Sequence, residues 1–122
     1  MGYYSDVALA LTGESLKIFK KKLAALPENS RKEIEPFFTR WADRHLVEEN
    51  SECWFWKDVK WYTGWPENFP DIDFADKFMD GADEEEFYFV RTGEDYEDNE
   101  IRGLWWDNPF GITLRREIVL DC

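Results

Sequence analysis

Between Tyr3 and Thr12 the chain sets Val7, Leu9 and Leu11 against Ala8 and Ala10. A period of two over that length predicts a β-strand with a bulky face and a small-residue reverse face, on which a helix can pack closely. Thr12-Gly13 punctuates the run, and the period then changes. From Glu14 to Leu26, Leu16, Phe19, Leu23 and Leu26 recur at spacings of three and four, with Lys17, Lys20, Lys21 and Lys22 on the other side. That is an amphipathic helix with a basic wet face.

Pro27 stops this helix, and Asn29-Ser30 opens a second, with Ser30 and Glu33 at capping-box spacing. Its apolar stripe is Ile34, Phe37, Phe38, Trp41 and His45, with a kink or a broken start expected at Pro36. Cys53–Tyr62 returns to strand character: Cys53, Phe55, Val59 and Trp61 face one way, and Trp54, Trp56, Asp58, Lys60 and Tyr62 the other. After a turn-rich link from Gly64, Pro70 suits the first position of a third helix, and Asp71 and Asp73 suit the positive end of its dipole. Phe74, Ala75, Phe78 and Met79 supply its buried side, and Asp80-Gly81 ends it. Glu86–Arg91 reads as a short aromatic strand and Thr92–Asn99 as a polar, acidic loop. Ile101–Trp106 and Ile112–Leu120 read as a final strand pair across Asp107-Asn108-Pro109. The expected order is βααβαβββ, an α+β fold with helices on one face of a mostly antiparallel sheet. A chain of 122 residues fits one domain spanning 1–122. With 43% hydrophobic and 18% aromatic residues it is no disordered segment.

Charge divides the chain. Residues 1–60 hold ten basic and ten acidic residues, so the whole net charge of −12 belongs to residues 61–122. Between Glu67 and Glu100, fourteen carboxylates stand against Lys77 and Arg91 alone. Such a balance argues against direct binding to nucleic acid or to an anionic membrane, both of which are polyanions. Two readings of the cluster stay open: a solvated surface kept for solubility, or a negative face that performs the function. In the second, Asp71, Asp73, Asp76, Asp80, Asp83, Glu84, Glu85 and Glu86 run along a helix and its following turn, and Glu94, Asp95, Glu97, Asp98 and Glu100 crowd a second loop. A stiff carboxylate array of this kind would present a basic nucleic-acid-binding protein or nucleoprotein complex with a potential like that of DNA, which carries one charge per about 1.7 Å of axis. Aromatic residues on the open side of the sheet, Trp54 and Trp56 first, would anchor the contact; the alternative is that the Trp65–Pro70 link covers them.

Catalytic constellations are sparse. His45 is the sole histidine, no Gly-rich phosphate loop exists, and one His with two Cys falls short of a zinc site. No cofactor is expected. Two enzymatic alternatives remain: a hard-cation site on Asp71, Asp73 and Asp76, or a carboxylate pair beside tryptophan platforms for glycoside cleavage. Cys53 and Cys122, outside any pair motif, are expected to be free thiols of a reducing cytoplasm. Met1–Ser15 lacks a basic n-region, and no apolar run approaches the ~20 residues of a membrane span.

Three blocks carry a resemblance: Tyr3-Tyr4-Ser5-Asp6-Val7-Ala8-Leu9-Ala10-Leu11, Trp56-Lys57-Asp58-Val59-Lys60-Trp61-Tyr62, and Phe89-Val90-Arg91-Thr92-Gly93-Glu94-Asp95-Tyr96-Glu97-Asp98. Together they resemble small proteins encoded by tailed bacteriophages and prophages. The resemblance implies a role in the cytoplasm of an infected bacterium, where small acidic phage proteins block restriction, CRISPR or transcription machinery. It brings no active-site residues. A virion structural or assembly role is the remaining alternative.

Overall fold

The alternation at the start of the chain builds the centre of the sheet. In the computed structural model, which describes residues 2–115, β1 (Ser5–Thr12) is followed by α1 (Gly13–Ala24), α2 (Glu28–Thr39), β2 (Arg44–Glu48) and β3 (Ser51–Val59). Then come α3 (Pro70–Gly81), a 3-10 turn at Glu84–Glu86, β4 (Phe87–Gly93) and β5 (Asn99–Arg102). All strand pairs are antiparallel, in the order β2-β3-β1-β4-β5. The fold is α+β, with three helices on one face of a five-stranded sheet.

The helices cover the bulky face of β1, not the alanine face. Val7, Leu9 and Leu11 are fully buried in one cluster with Leu16 and Phe19 of α1, Phe37 and Phe38 of α2, and Ile72 and Phe78 of α3. Large side chains win this face because three helices leave a deep space to fill. On the reverse face the small Ala8 leaves a cavity whose other wall is the segment from Phe110 to Arg115.

Register decides the tryptophans. Trp54 lies opposite Leu9 and Trp56 opposite Val7, so both side chains share the helix-covered face. They are 2% and 0% exposed, and so are not the surface anchors that their spacing suggested. Each indole N–H donates to a carbonyl in the last turn of α2, Trp54 to Phe38 and Trp56 to Phe37, both at 2.9 Å. Those carbonyls have no partner inside the helix. Trp56 also stacks on Phe37 at 4.4 Å.

The second helix is shorter than its apolar stripe. It runs through Pro36 without interruption and stops at Thr39, leaving Trp41 exposed. The chain then turns into β2, which pairs with β3 across a turn where Asn50 takes a left-handed φ of 59°. His45 is therefore a strand residue. It stacks on Trp54 at 5.1 Å, with Nε2 2.7 Å from Glu52 Oε1. At the other end of the chain, Ile101–Trp106 yields strand only to Arg102, and residues 112–115 are not strand; the remainder of the expected last strand lies outside the described residues. The observed order is thus βααββαββ. Among the described residues no helix is long and apolar enough to cross a membrane.

Candidate interaction surface

Most of the carboxylates hold the fold together. Arg102 of β5 reaches α3 with both terminal nitrogens: Nη1 lies 2.8 Å from Asp76 Oδ1 and Nη2 2.7 Å from Asp80 Oδ1. The two acids are one helical turn apart, so a single guanidinium bridges both. Asp73 pairs with Lys77 at 3.4 Å. Asp71 accepts the Ile72 N–H in the first turn of α3, while partial burial pushes its carboxyl above the usual range.

A second knot closes the β4–β5 hairpin. Arg91 donates from Nη1 and Nη2 to the two oxygens of Asp98, at 3.1 and 2.7 Å, and from Nε to Glu100 at 3.1 Å. Tyr3 donates its hydroxyl to Asp98 at 2.7 Å and accepts the Asp95 N–H at 3.0 Å. The Arg91 guanidinium, aided by Tyr3, holds the Asp98 carboxyl down at about 2. Glu94 accepts the Tyr4 N–H at 3.0 Å.

Glu86 belongs to α1. Its carboxylate accepts the backbone N–H groups of Glu14 and Ser15, at 3.2 and 3.1 Å, and the Ser15 hydroxyl at 2.8 Å. Thr12, at the N-cap, makes no such bond, because its hydroxyl donates to the Asn50 carbonyl. Gly13 has φ 60°, and a Cβ there would run into the Glu86 carboxylate. Asp83 caps the 3-10 turn by accepting the Glu85 N–H at 3.0 Å.

Four of the thirteen acids named from the sequence are left over. Among the described residues nothing pairs with the side chains of Glu84, Glu85, Asp95 or Glu97, and all four are exposed. They form two groups at opposite ends of β4, which at about 3.3 Å per residue puts roughly 20 Å between them. The stretch between them carries the acids neutralised by Arg91 and Arg102. The array is therefore two anionic poles at the two ends of β4 instead of a continuous wall.

Apolar side chains stand beside these poles. Leu104 donates its N–H to the Glu84 carbonyl at 2.7 Å, which sets the Leu104–Trp106 segment next to Glu84 and Glu85. Ile101, Leu104 and Trp106 are 56%, 58% and 73% exposed. In position along the chain they read as part of a buried strand, so sequence periodicity did not mark them. Among the described residues β5 is also an edge strand of the sheet. The Gly93 N–H donates to the Asp98 carbonyl, and antiparallel alternation from that pair turns the backbone groups of Ile101 outward.

Among the described residues no three His, Cys, Asp or Glu side chains converge as a group that could hold a metal ion. Asp71, Asp73 and Asp76, named for a hard cation, are separately engaged with a backbone N–H, a lysine and an arginine. No family model, curated protein or solved structure matches this chain.

Proposed function

We propose that the chain is a non-enzymatic acidic interaction protein that occupies the nucleic-acid groove of a basic partner. In the setting implied by the phage resemblance, it acts as an inhibitor of a host defence or transcription complex. The reading is carried by one observation: Glu84, Glu85, Asp95 and Glu97 are exposed and have no partner among the described residues, after nine neighbouring carboxylates are committed to internal contacts. A spacing of roughly 20 Å between the poles spans about six phosphates of a single strand at 3.4 Å each. Two poles on a rigid hairpin steer a cationic groove from a distance. Leu104 and Trp106, exposed beside Glu84 and Glu85, take the anchoring part that the sequence pattern gives to Trp54 and Trp56, since a large exposed side chain next to charge is a common hot-spot anchor. The metal and glycosidase alternatives draw no support from Asp71, Asp73 and Asp76, whose oxygens are held apart by other partners.

The test is a four-site variant, Glu84→Lys, Glu85→Lys, Asp95→Lys and Glu97→Lys, compared with the unaltered protein in capture from a bacterial lysate. The unaltered protein should retain a DNA- or RNA-binding complex at about 50 mM salt, lose it near 500 mM, and release it to added duplex DNA. The variant should fold normally and capture nothing. Equal capture by the variant, or capture indifferent to salt and duplex DNA, overturns the reading.

A further inference from the structure

The face of the sheet turned away from the helices carries a feature independent of the acidic side. Ala8 lies between Phe55 and Val90 in register, and Arg44 lies beyond Phe55 on the edge strand β2. Partners in an antiparallel ladder share a face, so these four side chains form one row. The segment from Phe110 to Arg115 faces that row, and the two line an open cavity of about 430 Å³. Small-molecule sites commonly measure about 300–1,000 Å³, with mostly apolar walls and few polar groups. Ala8 is the reason for the space: a larger side chain at the centre of the row would fill it.

The polar groups of the cavity differ in what they have to offer. Asp6 accepts the Asp58 N–H at 3.0 Å, and the Thr92 hydroxyl donates to Asn99 at 2.9 Å. Cys53 contributes an apolar wall, since burial pushes its thiol up to about 11. Arg44, Arg115 and the hydroxyl of Thr113 remain. Among the described residues no carboxylate pairs with either arginine, in a chain whose acids outnumber its bases 27 to 15. Two guanidinium groups with no carboxylate partner among the described residues, set on a partly apolar cavity, are complementary to an anionic head on an apolar body.

We propose that this cavity binds a small organic anion with an apolar body, its carboxylate on Arg44 and its body along Ala8, Phe55 and Val90. Arg44 supplies the preference for charge, and Ala8 sets the size limit. Neither residue touches the acidic poles, so the site stands or falls separately from the proposed partner surface.

Titration calorimetry of the full chain with decanoate and with decanol tests this directly. Decanoate should bind one-to-one and about tenfold more tightly than decanol, the factor set by one charge-assisted hydrogen bond. Arg44→Gln, on an exposed edge strand, should bring decanoate down to the level of decanol. Ala8→Leu should weaken both ligands at least about tenfold by filling the row. Should that variant fold poorly, decanoate-induced NMR shifts at the Ala8, Leu46 and Val90 methyls of the unaltered protein locate the ligand instead. Absence of saturable decanoate binding, equal affinity for decanol, or shifts confined to other residues would each overturn the proposal.

Discussion

Glu86 separates carboxylates that build the molecule from those free to meet a partner. It stands in the run Asp83–Glu86 with nothing in its local sequence to set it apart, yet it satisfies two backbone N–H groups of the α1 first turn and the buried Ser15 hydroxyl. Removing a helix cap costs about 1 kcal/mol. Hydrogen bonds to a charged acceptor contribute about 1.5–3 kcal/mol, and a carboxylate at the positive end of a helix adds about 0.3–1 kcal/mol. One carboxylate makes all three contacts, so the terms overlap, and Glu86→Ala should cost about 2–3 kcal/mol. With an unfolding entropy near 2.1 cal/mol/K per residue, that loss lowers Tm by roughly 8–12 °C. Glu86→Gln keeps an acceptor and should lose about half as much. Glu84→Ala and Glu85→Ala, exposed and unpaired, should stay within about 0.5 kcal/mol of the unaltered protein. Urea unfolding followed by tryptophan fluorescence, beside thermal melts, measures all four. If Glu86→Ala unfolds no more easily than Glu84→Ala, the separation drawn between structural and available carboxylates is wrong.

Acid should loosen the hairpin knot. The Asp98 carboxyl sits at about 2 in the folded protein, below the unfolded value near 3.9, so its contribution is complete above about pH 5 and is lost as pH falls toward 2. The full linkage would be about 2.6 kcal/mol; with the side chain about a third exposed, solvent screening reduces this to roughly 1 kcal/mol. Asp98→Asn should flatten that part of the stability profile between pH 5 and 2, and an unchanged slope would refute the assignment. Trp56→Phe keeps a ring against Phe37 but leaves the Phe37 carbonyl without its buried donor, a loss of about 1–3 kcal/mol in urea unfolding. Its partner capture should be unaltered; wild-type stability in this variant would contradict the burial argument.

Local chemistry announced the elements well, and long-range chemistry assigned their faces. Pro70 with Asp71 and Asp73 starts α3 as the sequence indicated, and Gly81 ends it. β1 and α1 were equally legible, because each carries a clean period. His45 misled: its spacing from Trp41 continues a helical stripe, but a β3 edge needing a ladder partner draws Arg44–Glu48 into a strand. Trp54 and Trp56 alternate with residues nearly as apolar as themselves, so periodicity fixes that they share a face and leaves open which one. Only the pairing with Val7 and Leu9 decides that. The acid cluster shows the same limit. Its net charge is plain in the sequence, but the cations and donors that engage its members come from Arg102, Arg91 and the first turn of α1, up to 72 residues away.

The place of β1 between β3 and β4 has a consequence for how the protein is made. Its neighbours begin at Ser51 and Phe87, so a ribosome must translate through β4, as far as Gly93, before the first strand is hydrogen-bonded on both flanks. Until then Val7, Leu9 and Leu11 lack the flank that Phe87 and Phe89 of β4 supply. A topology of such distant pairings folds slowly, and chaperone capture of stalled chains should fall off once translation passes Gly93.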